Sequence, residues 1–320
     1  MKINIIRRVG NGSYLDCFDE MEGGFNIQPD CNITIFPSKE SRIKQLMLII
    51  FLKLNWVKKL FYSNNQEISF SMLMGASFLS LLPYVLKFRK NYLYLYDAWP
   101  RFHSQIEKSA LALNIHLIFF SSRQVTIMFN SLNSAVKAVW IPEGIAANDY
   151  YFAPIEFKDI DVLEFGRKFD LYHDRITPSL LENNYVHLYE KNKGEIIFGS
   201  RADFLNGLSR TKISVCIPSN ITHADRSEGI SSMTLRYLQS MASKCLIVGI
   251  MPEEMRLLFD YVPIIEIDME KPDLQLLSVL ENYDQYIPLI ERNYQALHKD
   301  HTWEVRVIKM IEIIKNESGY

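Results

Sequence analysis

The sequence predicts an α/β protein made of two Rossmann-like, doubly wound domains. Three observations carry that expectation: the length, a repeated alternation of apolar β-rich runs with helical patterns, and one polar connection near the middle. At 320 residues the chain has room for roughly two domains of ordinary size. Alternating strands and helices, with no repeat period and no low-complexity stretch, mark βα units around parallel sheets.

In the first half "KINIIRRV", "CNITIFP", "YLYLYD", "IHLIFFSS" and "AVWIPEG" read as strands, with helical stretches near 42–61, 71–88 and 102–113. In the second half "DVLEFG", "VHLYE", "EIIFGS", "ISVCIPS", "CLIVG" and "IIEID" read as strands, with helices near 178–182, 201–209, 233–242, 252–258 and 274–283. Between them "IPEGIAANDYYFAPIEFKDI" is polar and lacks periodicity, which predicts a first domain over 1–150 and a second over 151–301. Glu143 and Gly144 are expected to form a turn on the hinge side of it. At the end, Trp303, Val307, Met310 and Ile314 fall at helical spacing behind Thr302 as N-cap, so 302–320 is expected to be a helix packing back on the first domain.

Composition narrows the function. With 48% hydrophobic residues, 22% charged residues and a net charge of −2, the chain has no basic surface for general nucleic-acid binding. Cys17, Cys31, Cys216 and Cys245 are scattered without metal or disulfide spacing and read as reduced core residues, which suits the cytoplasm. No signal peptide or bilayer-length apolar run is expected. The segment 42–62, with Lys44, Lys53, Lys58, Lys59 and Trp56, reads as a core helix or as a basic amphipathic segment in peripheral contact with a membrane.

Ligands of open α/β sheets sit beyond the carboxyl ends of strands, so two such sheets facing each other predict a cleft and direct attention to the loops leaving each strand. After "ISVCIPS" comes the polar loop "NITHADRSEGIS" and then a helix, "SMTLRYLQSMAS". A helix start offers free N–H groups and the positive end of a dipole, so Ser231, Ser232, Met233 and Thr234 are candidates for holding a phosphate. Ser232, Arg236, Gln239 and Ser243 are spaced by four, three and four residues; one helix face would carry them, as pocket lining or as a solvated surface.

In the first half "YDAWPRFH" closes a strand with Asp97, Trp99 and His103. Such a carboxylate, indole and imidazole could orient or deprotonate a bound hydroxyl and stack on a ring, or else cap and pack a helix. "GNGSY" at 10–14 is a short glycine-rich turn without the full dinucleotide fingerprint. His223 and Asp225 are too sparse to claim a metal, and His173 reads as a surface or capping residue.

The run "PSNITHADRSEGISSMTLRYLQSMASKCLIVG", with "DVLEFGRKFDLYH" and "IPEGI" before it, resembles the donor-domain signature of group 1 (family 4-like) glycosyltransferases of the two-domain type B fold, especially bacterial polysaccharide-assembly members. The resemblance covers most of 141–250. It implies a nucleoside-diphosphate-sugar donor in the second domain, a saccharide or lipid-linked acceptor in the first, transfer with retention, and neither metal nor cofactor. It also implies that Glu228 acts on the donor sugar; in that setting Asp97, Trp99 and His103 would be the acceptor-side candidates. Gly229 and the amides after it would form the diphosphate turn, Arg167 and Lys168 would neutralise the diphosphate, and Gln239 would lie near the ribose.

Two residues depart from that pattern. Gln239 stands where the family carries glutamate, and Lys244 where it carries glycine. Gln239 keeps an acceptor oxygen but loses the charge-assisted bond. Lys244 in a left-handed cap would cost roughly 1 kcal/mol. These departures motivate a second expectation: a non-catalytic binding or assembly subunit of the same fold. The one DxD spacing in the donor half, Asp159 to Asp161, enters a strand rather than leaving one, and so is expected at the far end of the sheet from the ligand.

Overall fold

A computed structural model describes residues 2–8, 16–28, 32–38, 41–54, 67–82, 84–166, 168–192 and 194–318. It divides into two compact units, Met1–Glu143 with Trp303–Tyr320, and Gly144–Thr302. Residues 144–150, expected at the end of the first domain, thus belong to the second, where Ile145, Ala147 and Tyr150 are buried in its core.

The first unit runs β1 (Lys2–Arg8), α1 (Asp16–Asn26), β2 (Asn32–Ser38), α2 (Arg42–Lys53), β3 (Ile68–Met74), β4 (Lys90–Tyr96), α3 (His103–Ala112), β5 (Ile115–Phe120), α4 (Arg123–Asn130) and β6 (Lys137–Trp140). The six strands pair in parallel in the order β2-β1-β3-β4-β5-β6. Parallel strands are covered on both faces, and β3 and β4 are accordingly buried almost throughout.

The second unit runs β7 (Ile160–Glu164), α5 (Asp170–Glu182), β8 (His187–Tyr189), α6 (Arg201–Ser209), β9 (Thr211–Cys216), α7 (Ser219–Thr222), α8 (Ala224–Ser227), α9 (Leu235–Ala242), β10 (Leu246–Gly249), α10 (Met255–Leu258), β11 (Ile265–Glu266), α11 (Pro272–Glu281) and α12 (Ile287–Asp300). Its five parallel strands lie in the order β11-β10-β9-β7-β8. The last helix, α13 (Trp303–Ser318), belongs to the first unit. Trp303, Val307, Met310 and Ile314 join its core there, and an added Cβ on Gly24 of α1 would meet the Trp303 Cβ at 3.0 Å.

Both units repeat one topology. The second strand lies on one side of the first and the third on the other, so each sheet has a switch point between its first and third strands: β1/β3 and β7/β9. At such a point the connections leave in opposite directions and open a crevice beyond the carboxyl ends. "GNGSY", after β1, lies outside the described residues.

Several elements differ from expectation. The stretch 71–88, read as helix, begins inside β3 and continues as short 3-10 turns over Phe78–Leu81 and Tyr84–Lys87. "EIIFGS" forms no strand among its described residues. Helices α1, α4 and α12 form where the sequence pattern does not single them out, and α5 starts eight residues earlier than expected, at Asp170 rather than Pro178. Of the helix expected at 42–61, Arg42–Lys53 is described as α2, while 55–61 lies outside the described residues.

Candidate functional site

The second unit's switch point gathers much of what the sequence singles out. Strand β7 ends at Glu164, and the chain leaves through Phe165 and Gly166, whose φ is +77°. The positive φ there strains any side chain, and an added Cβ would also crowd the Arg236 Cδ at 3.2 Å, so glycine suits the position. Arg236, in the first turn of α9, donates from Nη1 to the Phe165 carbonyl and from Nη2 to the Ile217 carbonyl, each at 3.0 Å. One guanidinium thereby ties the backbone leaving β7 to the backbone leaving β9 and places a positive charge across the switch point.

The remaining supports are small or internally bonded. An added Cβ on Gly249, which ends β10, would sit 1.9 Å from the Cys216 carbonyl oxygen, so the two strands approach as closely as only glycine permits. The Tyr237 hydroxyl lies 2.7 Å from the Ile250 carbonyl and 3.1 Å from the Cys216 carbonyl. The α9 start is therefore fixed against the ends of three strands.

In the approach to α9, Glu228 and Gly229 are exposed and both left-handed, with φ of 51° and 79°. Two consecutive residues of this kind turn the chain sharply after α8 and leave Glu228 at the surface. Ser231 accepts from the Glu253 amide at 3.3 Å, and the Met233 amide donates to the buried Glu254 carboxylate at 3.1 Å. Met233, expected to offer a free donor to phosphate, already spends its N–H inside the protein. The hydroxyls of Ser232 and Thr234 are buried without a hydrogen-bond partner among the described residues. Orphaned buried hydroxyls are uncommon and call for a ligand or solvent partner.

Other residues sit differently from expectation. The shared helix face does not form as expected, because α9 spans only Leu235–Ala242, leaving Ser232 before it and Ser243 after it. Gln239 is 4% exposed, and its Nε2 donates to the Tyr150 hydroxyl at 3.0 Å. Lys244 keeps the left-handed backbone of the missing glycine, with φ 49°. Its ammonium reaches Glu291 at 2.6 Å and lies over the rings of Phe152 and Tyr294 at 4.2 and 4.5 Å, contacts that offset the backbone strain. Lys168 lies 5.6 Å above the Tyr189 ring and 3.9 Å from Asp170, while Arg167 lies outside the described residues.

Asp159 and Asp161 lie at the opposite end of β7. Asp159 pairs with Arg210, and Asp161 accepts from Lys212 at 2.7 Å and from the Val186 amide at 2.8 Å. The hydrogen bond from Arg210 holds the Asp159 carboxyl below its ordinary range. This pair closes structure at the amino end of the sheet.

The first unit carries the acceptor-side candidates. Asp97 comes after β4 with φ 49°, Trp99 is buried, and His103 is buried with Nε2 3.1 Å from the Ala98 carbonyl and its ring edge-on to Phe129. His103, which would need access to act on a hydroxyl, serves locally to fix the start of α3.

Sequence reasoning missed one polar cluster. Glu164 Oε1 lies 2.6 Å from His173 Nδ1 and 2.8 Å from His187 Nε2, and all three side chains are buried. Burial pushes the Glu164 carboxyl up, but the two histidine hydrogen bonds outweigh it and hold it below the ordinary carboxylate range. A histidine in the first turn after a strand-ending acid was the one signal available.

No family model and no curated protein matches the chain. Solved structures do, and what they share with it is the fold: the chain has the two-domain fold found in glycosyltransferases of type B. Anabaena Alr3699/HepE, solved with UDP and glucose, is 11% identical over 99% of this chain and 100% of its own, with a TM-score of 0.62. Sucrose-phosphate synthase from Thermosynechococcus elongatus is 10% identical over 98% of both chains, with a TM-score of 0.57. A glycosyltransferase from Rickettsia africae ESF-5 is 12% identical over 98% of both chains, with a TM-score of 0.56.

Proposed function

We propose that the chain is a glycosyltransferase that moves a sugar from a nucleoside diphosphate to a surface-polysaccharide or lipid-linked saccharide acceptor, with retention and without a metal at the reacting centre. The observation that carries this reading is the β7/β9 switch point, with Arg236 spanning it and two orphaned hydroxyls at the start of α9. Alr3699/HepE, which shares the fold, has been solved with UDP and with UDP-glucose.

In this reading the bond between the sugar's anomeric carbon and the diphosphate oxygen breaks while an acceptor hydroxyl oxygen bonds to that carbon and gives up its proton to the departing diphosphate. Negative charge grows on the departing diphosphate. Lys168, Arg167, Arg236, the Gly229 turn, and the polar groups of Ser231, Ser232 and Thr234 stabilise that growing charge more than the ground state. Glu228 acts on the donor sugar, and Asp97 serves the acceptor, whereas Trp99, as buried as His103, packs in the first unit. Retention rests on the family resemblance.

Glu228→Ala, an exposed change, is expected to abolish most transfer while leaving the melting temperature unchanged. Radiolabelled transfer from a panel of nucleotide sugars into a bacterial lipid-linked saccharide fraction measures it. Undiminished turnover in the variant would remove Glu228 from the site.

A second reading, a non-catalytic nucleotide-sugar- or glycan-binding subunit, is favoured by one observation: Gln239 is buried and bonded to Tyr150. Saturable donor binding without transfer or hydrolysis, across donors and acceptors, would select it.

We further assign α2 to peripheral contact with an anionic membrane on the cytoplasmic side. Ile43, Leu46 and Ile50 are 74%, 60% and 41% exposed at helical spacing, and Arg42, Lys44 and Lys53 are its only charged residues. Among the described residues no helix is long and apolar enough to cross a membrane. Co-sedimentation with vesicles rich in anionic lipid should fall sharply in Ile43→Glu/Leu46→Glu, and unchanged sedimentation would refute the contact.

A further inference from the structure

We propose that Glu164, His173 and His187 form a binding site for a divalent transition-metal ion, with zinc the best chemical fit. The three residues come from three elements, the end of β7, the first turn of α5 and the start of β8, so each is placed by backbone already fixed in the sheet or its covering helix. One ligand atom from each lies within 4.8 Å of the others. All three side chains are at least nine-tenths buried, with 3%, 8% and 6% exposure for Glu164, His173 and His187.

The geometry is close to what an ion needs. Bonds of about 2.0–2.2 Å in a tetrahedral site set ligand atoms roughly 3.3 Å apart. The present separations of 2.6 and 2.8 Å are hydrogen bonds, and they must open by only about half an ångström to become edges of such a site. Two imidazoles and a carboxylate make a nitrogen–oxygen donor set that suits zinc, with a fourth position left for water or a further side chain.

Two orphaned polar atoms strengthen the case. His187 Nδ1 and the Tyr172 hydroxyl are buried without hydrogen-bond partners among the described residues. Nδ1 is open to take the ring proton, which would release the Nε2 lone pair for an ion and exchange the Nε2 hydrogen bond to Glu164 for a metal bond to each group. A bound ion would also neutralise the buried carboxylate and lock β7 to α5 across the loop that carries Gly166 and Lys168. The ion's role is structural, and its binding is independent of the glycosyl-transfer reading.

The test uses the full, tag-free chain stripped with a chelator. Titration with zinc should show one saturable site and raise the melting temperature, and cobalt should give the visible absorption of a four-coordinate nitrogen–oxygen site. Replacing an outer partner of a metal ligand costs 10–100-fold in affinity, so His187→Ala and Glu164→Gln should weaken binding by at least about 100-fold. His116→Ala, an exposed position on β5, should leave it unchanged. If the site variants fail to fold, long-range proton–nitrogen spectra of the wild-type imidazoles decide: zinc should shift the ring nitrogens of His173 and His187. No saturable binding, binding indifferent to the substitutions, or shifts confined to other histidines would overturn the proposal.

Discussion

The two ends of the second unit's sheet are built from similar residue types and do different work. At the amino end, Asp159 and Asp161 meet Arg210 and Lys212 across neighbouring strands, and each carboxylate has its countercharge. At the carboxyl end, an arginine is aimed at backbone carbonyls, glycines hold positive φ or close approach, and the Ser232 and Thr234 hydroxyls are orphaned. An acid's chemistry is thus set less by its type than by which end of a parallel strand it occupies. Connections at the amino end close the structure, whereas those at the carboxyl end diverge at the switch point and leave groups for a ligand.

Substitutions at the two ends should separate accordingly, and the largest effect is expected at Gly249. An alanine Cβ placed 1.9 Å from the Cys216 carbonyl must force β10 away from β9, at about 3 kcal/mol or more, and denaturant unfolding should show a far lower midpoint or no folded protein. Arg236→Ala comes next. Loss of its two hydrogen bonds to carbonyls should cost about 1–3 kcal/mol and weaken nucleoside-diphosphate binding by about 10-fold or more, with calorimetry reading both. Equal affinity in that variant would move the ligand away from the switch point.

Lys244→Gly should change stability by less than about 1 kcal/mol in either direction, because relief of the left-handed backbone is offset by loss of the Glu291 pair and the two aromatic contacts. The smallest effect belongs to the amino end. Asp159 is held below its ordinary value by the Arg210 hydrogen bond, so its contribution is present above the unfolded carboxylate value and lost as pH falls through the lowered folded one. The pair is exposed, and Asp159→Asn should remove at most ~0.5 kcal/mol, seen only as a slightly flatter acid limb in melting temperature against pH.

Much of this architecture was legible in the sequence, for a physical reason. Parallel strands are buried on both faces, so "YLYLY" and "CLIVG" appear as unbroken apolar runs. β3 escaped because "ISFSMLM" interleaves serines with apolar residues and runs into "GASFLSLL", which carries helical spacing. The candidate site was legible where it is local, in the Glu228–Gly229 turn and the α9 start. It was not legible where distant chain meets. Gln239 lies 89 residues from Tyr150, and His187 lies 23 residues from Glu164, brought to it by the β7–β8 pairing. No spacing rule announces such contacts, and His173, read as a surface or capping residue, is instead buried against Glu164.

Everything proposed about donor chemistry depends on the β7/β9 switch point holding a nucleoside-diphosphate sugar. Protein-detected NMR with assigned amides, titrated with UDP, GDP and their sugars, reads that binding residue by residue. Saturable shifts should centre on Gly166, Lys168, Gly229 and Ser231 to Arg236, with the amides of Asp159 and Asp161 unmoved. Saturation with shifts centred elsewhere, or no response to any donor, would refute the assignment.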